Sequence, residues 1–179
     1  MSKRFDATIV GLYILDVLGR PVTKIPDGGN VEFIEELRLT VAGTAGGTVV
    51  DCAKLGLKTL AVGAVGDDEK ADFVIATLQK FGVDTSGFER VKNVPTSATI
   101  LNVRPNGDRP ALHLRGASDH FLPPAKEKID IFDCKVFHLG GTGLLQKLDG
   151  QASVDVLKEA KERGCITTWD LIAATEDTL

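Results

Sequence analysis

An aspartate and a glycine-rich segment are the residues of this sequence best suited to hold a hydroxylated ligand. Asp16 follows a short hydrophobic segment, residues 7–11, that is typical of a buried strand. We expect its carboxylate just past the carboxyl end of that strand, where open α/β sheets bind ligands. Residues 42–47 (AGTAGG) directly precede an apolar helical segment, residues 48–56. Their backbone N–H groups are predicted to lie at a helix N-terminus, which favours oxygen ligands.

Each of these residues also has a purely structural interpretation. Asp16 could cap a strand end or a turn. Gly43, Gly46 and Gly47 could serve only the close packing of a helix against a strand. We favour ligand binding for Asp16 because the glycine-rich segment accompanies it.

Strand and helix patterns alternate along the rest of the chain. Apolar segments at 57–66, 134–140 and 165–170 are typical of strands. Helical spacing predicts two helices, over 67–81 and 153–163, with these apolar residues facing inward: Ala71, Val74, Ile75, Leu78 and Phe81 in the first, and Val154, Leu157 and Ala160 in the second. The alternation predicts one α/β domain in which helices cover a mostly parallel sheet.

Two segments, approximately residues 17–41 and 95–117, interrupt this alternation. Within the first, residues 31–39 could form a strand or a sheet edge. In the second, Asn106 and Gly107 predict a β-hairpin between residues 98–103 and 111–115. We expect both segments to form a small antiparallel lid that covers the site beside Asp16. His113 and Arg115 alternate on one face of this lid, where a solvated surface is the favoured interpretation.

Composition argues against several functions. The net charge is −4 and the basic residues are scattered, so we expect no nucleic-acid partner. No apolar segment approaches the length of a membrane span or a signal peptide, so we expect a cytoplasmic protein without a membrane partner. The three cysteines are isolated in the sequence and are expected to be buried apolar side chains. Neither they nor the histidines have ligand spacing, so no metal site is predicted. Neither a dinucleotide-binding fingerprint nor a Walker A sequence is present.

A series of short motifs resembles the PfkB-type, or ribokinase-like, carbohydrate kinases over nearly the whole chain. In chain order they are residues 11–16 (GxxxxD), 42–43 (AG), 55–56 (LG), 63–68 (GAVGDD), 81–84 (FGVD), 96–99 (TSAT) and 138–141 (HLGG). The resemblance implies a ribokinase-like fold, with a Rossmann-like three-layer core and a β-sheet lid. It also implies transfer of the γ-phosphate of ATP to a hydroxyl of a sugar or a nucleoside.

The resemblance also assigns a substrate site. Asp16 matches the family aspartate that binds substrate hydroxyls, and Ala42 and Gly43 match the paired glycines. Ile14 and Gly47 stand where many members have asparagines that contact the sugar, so the identity of the substrate stays open between sugar and nucleoside. The resulting set of candidate substrate-binding residues is Ile14, Asp16, Ala42, Gly43, Gly46, Gly47 and Gly141. Gly140 and Gly141 could instead be simple turn residues, and Asp170 is a lesser candidate.

The catalytic base is expected outside this chain. In the family, the base comes from a later G-A-G-D motif and the nucleotide site from the C-terminal half. Residues 63–67 and 116–119 share letters with that motif, but the first segment is a strand-exit loop and the second ends the lid hairpin. We therefore expect ATP and Mg²⁺ in the intact enzyme and neither bound to this chain alone, together with a homodimer formed through the lid.

Two other functions remain open. The chain could be a non-catalytic sugar- or nucleoside-binding module, or a truncated fragment without activity. A dinucleotide-dependent oxidoreductase domain also fits the α/β pattern, but it requires cofactor binding by this chain alone. If a further half of the fold exists, the strand at 165–170 is an unfinished sheet edge.

Overall fold

Residues 3–172 are described in a computed structural model as nine strands, three α-helices and one short 3₁₀ turn, Ala117–His120. The elements in chain order are β1 (Phe5–Gly11), β2 (Ile14–Arg20), β3 (Glu36–Ala42), α1 (Thr44–Lys54), β4 (Thr59–Gly66), α2 (Glu69–Lys80), β5 (Asp84–Val91), β6 (Ala98–Asn102), β7 (Ala111–Leu114), β8 (Cys134–Thr142), α3 (Gln151–Glu162) and β9 (Ile166–Leu171).

The main sheet consists of five parallel strands in the order β5-β4-β1-β8-β9. Every residue of β4 is buried, as expected for a strand that is covered on both faces. Val49 of α1 and Leu78 of α2 pack on one face, while Val156 of α3 and Phe121 pack on the other. The predicted three-layer α/β architecture is therefore confirmed.

The lid is a separate four-stranded sheet in the order β3-β2-β6-β7. The predicted hairpin is present, since β6 and β7 pair in antiparallel register. The central pair, β2 and β6, is parallel, so the lid is a mixed sheet rather than a wholly antiparallel one. This follows from the connections, because β2 comes after β1 and β6 after β5, and both parent strands leave the same edge of the parallel sheet.

The lid begins at Ile14, so Asp16 lies inside its first strand and not in a loop after β1. Alternation explains the difference: Leu15 is buried and Val17 packs on the same core, which turns Asp16 to the opposite face. The uncertain segment 31–39 contributes only from Glu36 onward, as the edge strand β3.

Three further details differ from the sequence predictions. Strand β5 was missed because its sequence, DTSGFERV, has no clear apolar alternation. Phe81 and Val154 were predicted to face inward, but each is 42% exposed, and Val156 is buried instead in α3. Cys134 and Cys165 are not isolated from one another, since their Sγ atoms lie 3.8 Å apart where β8 and β9 begin. Burial raises the pKa of Cys134 to about 11, so it packs as a neutral side chain.

Candidate functional site

A transverse row of polar side chains crosses the lid and includes Asp16. Thr40 of β3 pairs with Asp16, Asp16 with Thr99 of β6, and Thr99 with His113 of β7. Residues directly opposite in neighbouring strands share a face of the sheet. The four side chains, which we call the polar row, therefore stand side by side on one face of the lid. Thr99 is buried, and its hydroxyl lies 3.0 Å from Nδ1 of His113.

The Asp16 carboxylate is incompletely satisfied. Its Oδ1 atom is buried and has no hydrogen-bond partner among residues 3–172. Burial raises the pKa of Asp16, while the Thr99 hydroxyl and the positive charge of Arg109 act in the opposite direction. A buried carboxylate oxygen without a donor is costly, and a ligand hydroxyl could supply that donor.

The glycine-rich segment forms the start of helix α1 rather than a loop before it. Gly43 is the N-cap with φ of 83°, and Gly46 and Gly47 lie in the first helical turns. A side chain at Gly43 would lie 2.3 Å from the backbone oxygen of Leu12, and one at Gly46 would lie 3.2 Å from Val41. At Gly47 a side chain would meet no atom within 4 Å. Packing therefore requires Gly43 whatever its role toward ligands, whereas Gly47 faces open space.

Ile14 and Ala42 join the lid to this helix. They pair with one another at the base of β2 and β3. Ile14 is 7% exposed in the hydrophobic core, and Ala42 packs against the same core. Ile14 therefore fills an apolar position below Asp16.

The carboxyl end of β8 approaches helix α1 from the main sheet. A side chain at Gly140 would lie 2.9 Å from the backbone nitrogen of Ala45. The N–H of Gly141 donates to Oδ1 of Asp170 at 2.7 Å, and Oδ2 of Asp170 lies 3.2 Å from Nε2 of His138. Asp170 thus holds the Gly141 backbone, and the Gly141 N–H already has a partner.

Sequence reasoning singled out Asp16 and the start of α1 but missed the polar row. Thr99 was noted as part of a strand and of the 96–99 motif without a role in the site, and His113 was interpreted as a solvated lid residue. The register of β2, β6 and β7 brings Thr99 and His113 beside Asp16. In the sequence, the only indication of this arrangement was the alternation on either side of the predicted hairpin at Asn106.

Neither a metal centre nor a membrane span is found in the described part of the chain. Residues 3–172 contain no group of three or more His, Cys, Asp or Glu side chains that could hold a metal ion. Within the same residues, no helix has the length and apolar character needed to cross a bilayer.

The sequence is similar to known carbohydrate kinases. Residues 6–177 match the profile of the pfkB family carbohydrate kinases. Fructokinase-2 of Solanum lycopersicum is 29% identical over 130 residues, an alignment that covers 72% of this chain and 40% of the relative. The aligned part of the chain therefore covers less than half the length of that relative.

Solved structures resemble the fold as well. The ribokinase of Giardia lamblia superposes with a TM-score of 0.79 at 19% identity, covering 96% of this chain and 56% of the other. The Arabidopsis thaliana ribokinase complexed with ribose and ATP gives a TM-score of 0.77 at 18% identity, with 98% and 55% covered. These likenesses establish a ribokinase-like fold over about half the length of each neighbour.

Proposed function

Since the chain belongs to the PfkB family of carbohydrate kinases, we propose that it is the substrate-binding part of an enzyme that transfers the γ-phosphate of ATP to a hydroxyl of a sugar or nucleoside. The observation that carries the proposal is the buried Oδ1 atom of Asp16, which has no partner among residues 3–172. Asp16 accepts a hydrogen bond from a substrate hydroxyl there, and this bond orients the alcohol for attack.

The polar row and the start of α1 line two sides of the proposed substrate site. Thr40 and Thr99 flank Asp16 on the lid, and Gly47 leaves open space at the helix. Ile14 and Gly47 provide no amide side chain, so the substrate meets fewer polar contacts than a pair of asparagines would give. The N–H groups of Gly46 and Gly141 already donate to Leu12 O and to Asp170 Oδ1. In this proposal Ala42, Gly43, Gly46 and Gly141 therefore shape the site through close backbone packing.

Phosphoryl transfer requires further residues for the nucleotide, the catalytic base and Mg²⁺. Residues 3–172 contain no group of three or more His, Cys, Asp or Glu side chains that could hold a metal ion. An open apolar groove of about 520 Å³ lies beside β9 and α3, with Trp169, Leu157 and Leu171 in its lining. We propose that the rest of the kinase fold covers this groove and supplies the base and the ATP site. Reliance on ATP also favours a cytoplasmic location.

The lid is also the proposed dimer contact. Its face opposite the polar row is apolar, and Leu37, Ile100 and Leu112 on that face are 69%, 50% and 66% exposed. Apolar sheet faces of this kind are usually covered by a partner. A second copy of the lid offers a matching apolar surface.

A reconstitution assay tests the proposal. The purified 179-residue chain is incubated with ATP, Mg²⁺ and a panel of sugars and nucleosides, first alone and then with a separately expressed C-terminal half of a family kinase. We expect phosphoryl transfer only in the mixture, and loss of most of that activity in Asp16→Asn. Transfer by the chain alone, or full activity in Asp16→Asn, would contradict the proposal. A mixture that is folded and associated but inactive would favour a non-catalytic binding module.

A further inference from the structure

The fold does not require the contact between His113 and Thr99. His113 lies on a four-residue edge strand and retains solvent access. Its ring could extend into water, yet its Nδ1 atom lies 3.0 Å from the Thr99 hydroxyl. The same hydroxyl belongs to a buried side chain directly beside Asp16. Thr99 therefore lies between the two titratable members of the polar row, within hydrogen-bond distance of His113 and directly opposite Asp16 in the strand register.

We propose that His113 and Thr99 form a hydrogen-bonded relay that orients the Asp16 carboxylate, which makes His113 a positioning residue for the substrate site. A hydroxyl has one proton to donate and two lone pairs to accept. Nδ1–H of His113 donates to Thr99 Oγ1, and this bond commits the Thr99 proton to Asp16. The remaining carboxylate oxygen, Oδ1, is left free for a substrate hydroxyl.

The charges around the row are compatible with a neutral imidazole. Burial lowers the pKa of His113, and the positive charge of Arg115 lowers it further, while Asp119 acts in the opposite direction. Arg115 and Asp119 also pair with one another at 3.3 Å. Arg109 is the charged group that acts on Asp16. A neutral imidazole carries one N–H, so its tautomer decides the direction of the relay.

The relay deepens the proposed function, because it concerns the same carboxylate, but its test needs no substrate. The test is a carbon-detected NMR titration of the Asp16 carboxyl in the purified chain, in wild type and three variants. His113→Ala removes the donor. His113→Asn retains an N–H near the position of Nδ1. Leu55→Ala is the control, because Leu55 is 81% exposed at the end of α1 and lies outside both the polar row and the apolar face of the lid.

The expected results have a definite sign. Without His113 the Thr99 hydroxyl is free to turn away, so the pKa of Asp16 rises in His113→Ala by roughly 0.4 to 1 unit, the equivalent of one hydrogen bond of ordinary net strength. His113→Asn restores most of the wild-type value, and Leu55→Ala leaves it unchanged. An unchanged or lowered pKa of Asp16 in His113→Ala overturns the relay, as does an equal rise in Leu55→Ala.

A long-range ¹⁵N–¹H spectrum of the wild-type chain at pH 8 gives an independent result. It identifies the protonated ring nitrogen of His113, for which we expect Nδ1. Protonation at Nε2 would mean that Thr99 donates to the histidine instead, and it would overturn the relay. Because neither measurement uses a ligand, a failed kinase assay with an intact relay refutes only the proposed function.

Discussion

Asp16 combines a binding role with a cost to the fold. Its pKa is raised by burial, so its ionisation is less favourable in the folded chain than in the unfolded one. Such a group adds no penalty below its unfolded pKa, and it destabilises the fold as the pH rises through its folded pKa. This is the pattern expected of a ligand-binding residue that is maintained at the expense of stability.

Asp16→Asn should therefore be more stable than the wild-type chain at pH 8, and this advantage should largely disappear at pH 3, below the unfolded pKa of about 3.9. The physical reason is that asparagine cannot ionise in the half-buried position. Thermal unfolding followed by circular dichroism at the two pH values measures the difference. Greater stability of the wild-type chain at pH 8 would mean that protein groups already satisfy the carboxylate, and it would remove the argument for a ligand.

At the residue scale, the sequence identified Asp16 but not its neighbours. An aspartate near a strand and a glycine-rich segment is visible in the one-dimensional pattern. Thr99 and His113 lie far from Asp16 in sequence and meet it only through the register of three strands. Their contribution could not be deduced before the pairing of β2 with β6 was known.

At the element scale, the start of helix α1 contains one glycine that the fold requires, Gly43, and one that it does not require, Gly47. Gly43 has a positive φ and no room for a side chain, since Leu12 O would lie 2.3 Å away. Gly47 is helical and faces open space. A substitution at Gly43 thus disturbs the fold and cannot report on ligand binding alone.

Alanine at these two glycines should have opposite effects on the free energy of unfolding. Gly43→Ala should lose about 1–3 kcal/mol, because φ of 83° with ψ of 153° is a backbone conformation essentially limited to glycine, with a further loss from the clash with Leu12. Gly47→Ala should gain up to about 1 kcal/mol, because alanine restricts the unfolded chain and favours the helix. Urea denaturation measures both variants, and equal stabilities would contradict the described start of α1.

Helix α2 depends on one carboxylate at its start. Asp68 caps the helix by accepting from the N–H of Ala71 at 3.0 Å, and its oxygens also accept from the hydroxyl and N–H of Thr96 at 2.6 and 2.9 Å. The Nζ atom of Lys70 lies 2.6 Å from Oδ2 of Asp68. Burial acts to raise the pKa of Asp68, but the hydrogen bonds from Lys70, Thr96 and Ala71 outweigh it and lower the pKa far below its usual range.

Asp68→Asn should destabilise the chain by about 1.5–3 kcal/mol at pH 7, because hydrogen bonds to a charged group are lost. A lowered folded pKa gives stability that is present above the unfolded pKa, about 3.9, and is lost as the pH falls below it. The difference in free energy of unfolding between wild type and Asp68→Asn, measured by urea denaturation, should therefore decrease from pH 7 to pH 3. Asp72→Asn, in the same helical turn but 69% exposed, is the control and should change stability by about 0.5 kcal/mol or less. A difference that increases as the pH falls would contradict a stabilising role for the ionised Asp68 carboxylate.

At the scale of the whole molecule, the sequence predicted the layers better than the sheet edges. Runs such as residues 57–66 are apolar throughout, and β4 is buried throughout. Edge strands carry no such signal: β5 is polar, no residue of β3 is fully buried, and all four residues of β7 are exposed. The sequence pattern also placed the start of the lid near residue 17 rather than at Ile14, because only two residues separate β1 from β2.

The apolar face of the lid leads to a prediction about assembly. We expect the chain to sediment as a dimer, and Ile100→Glu or Leu112→Glu to shift it to a monomer by placing charges in the contact. Leu55→Glu is the matched control, since Leu55 is 81% exposed at the end of α1 and outside the lid. A wild-type monomer, or a dimer that survives both lid substitutions, would exclude this contact.

The central claim is that Asp16 and the start of α1 bind the acceptor alcohol. An NMR titration of the wild-type chain and Asp16→Asn with D-fructose, D-ribose and adenosine tests it most directly, through the Asp16 carboxyl and the amide signals of residues 44–47. We expect at least one of these ligands to shift both sets of signals in the wild-type chain. In Asp16→Asn, the amide signals of residues 44–47 should no longer shift, while the circular dichroism spectrum stays unchanged. No response to any of the three ligands, or an undiminished response in Asp16→Asn, would contradict it.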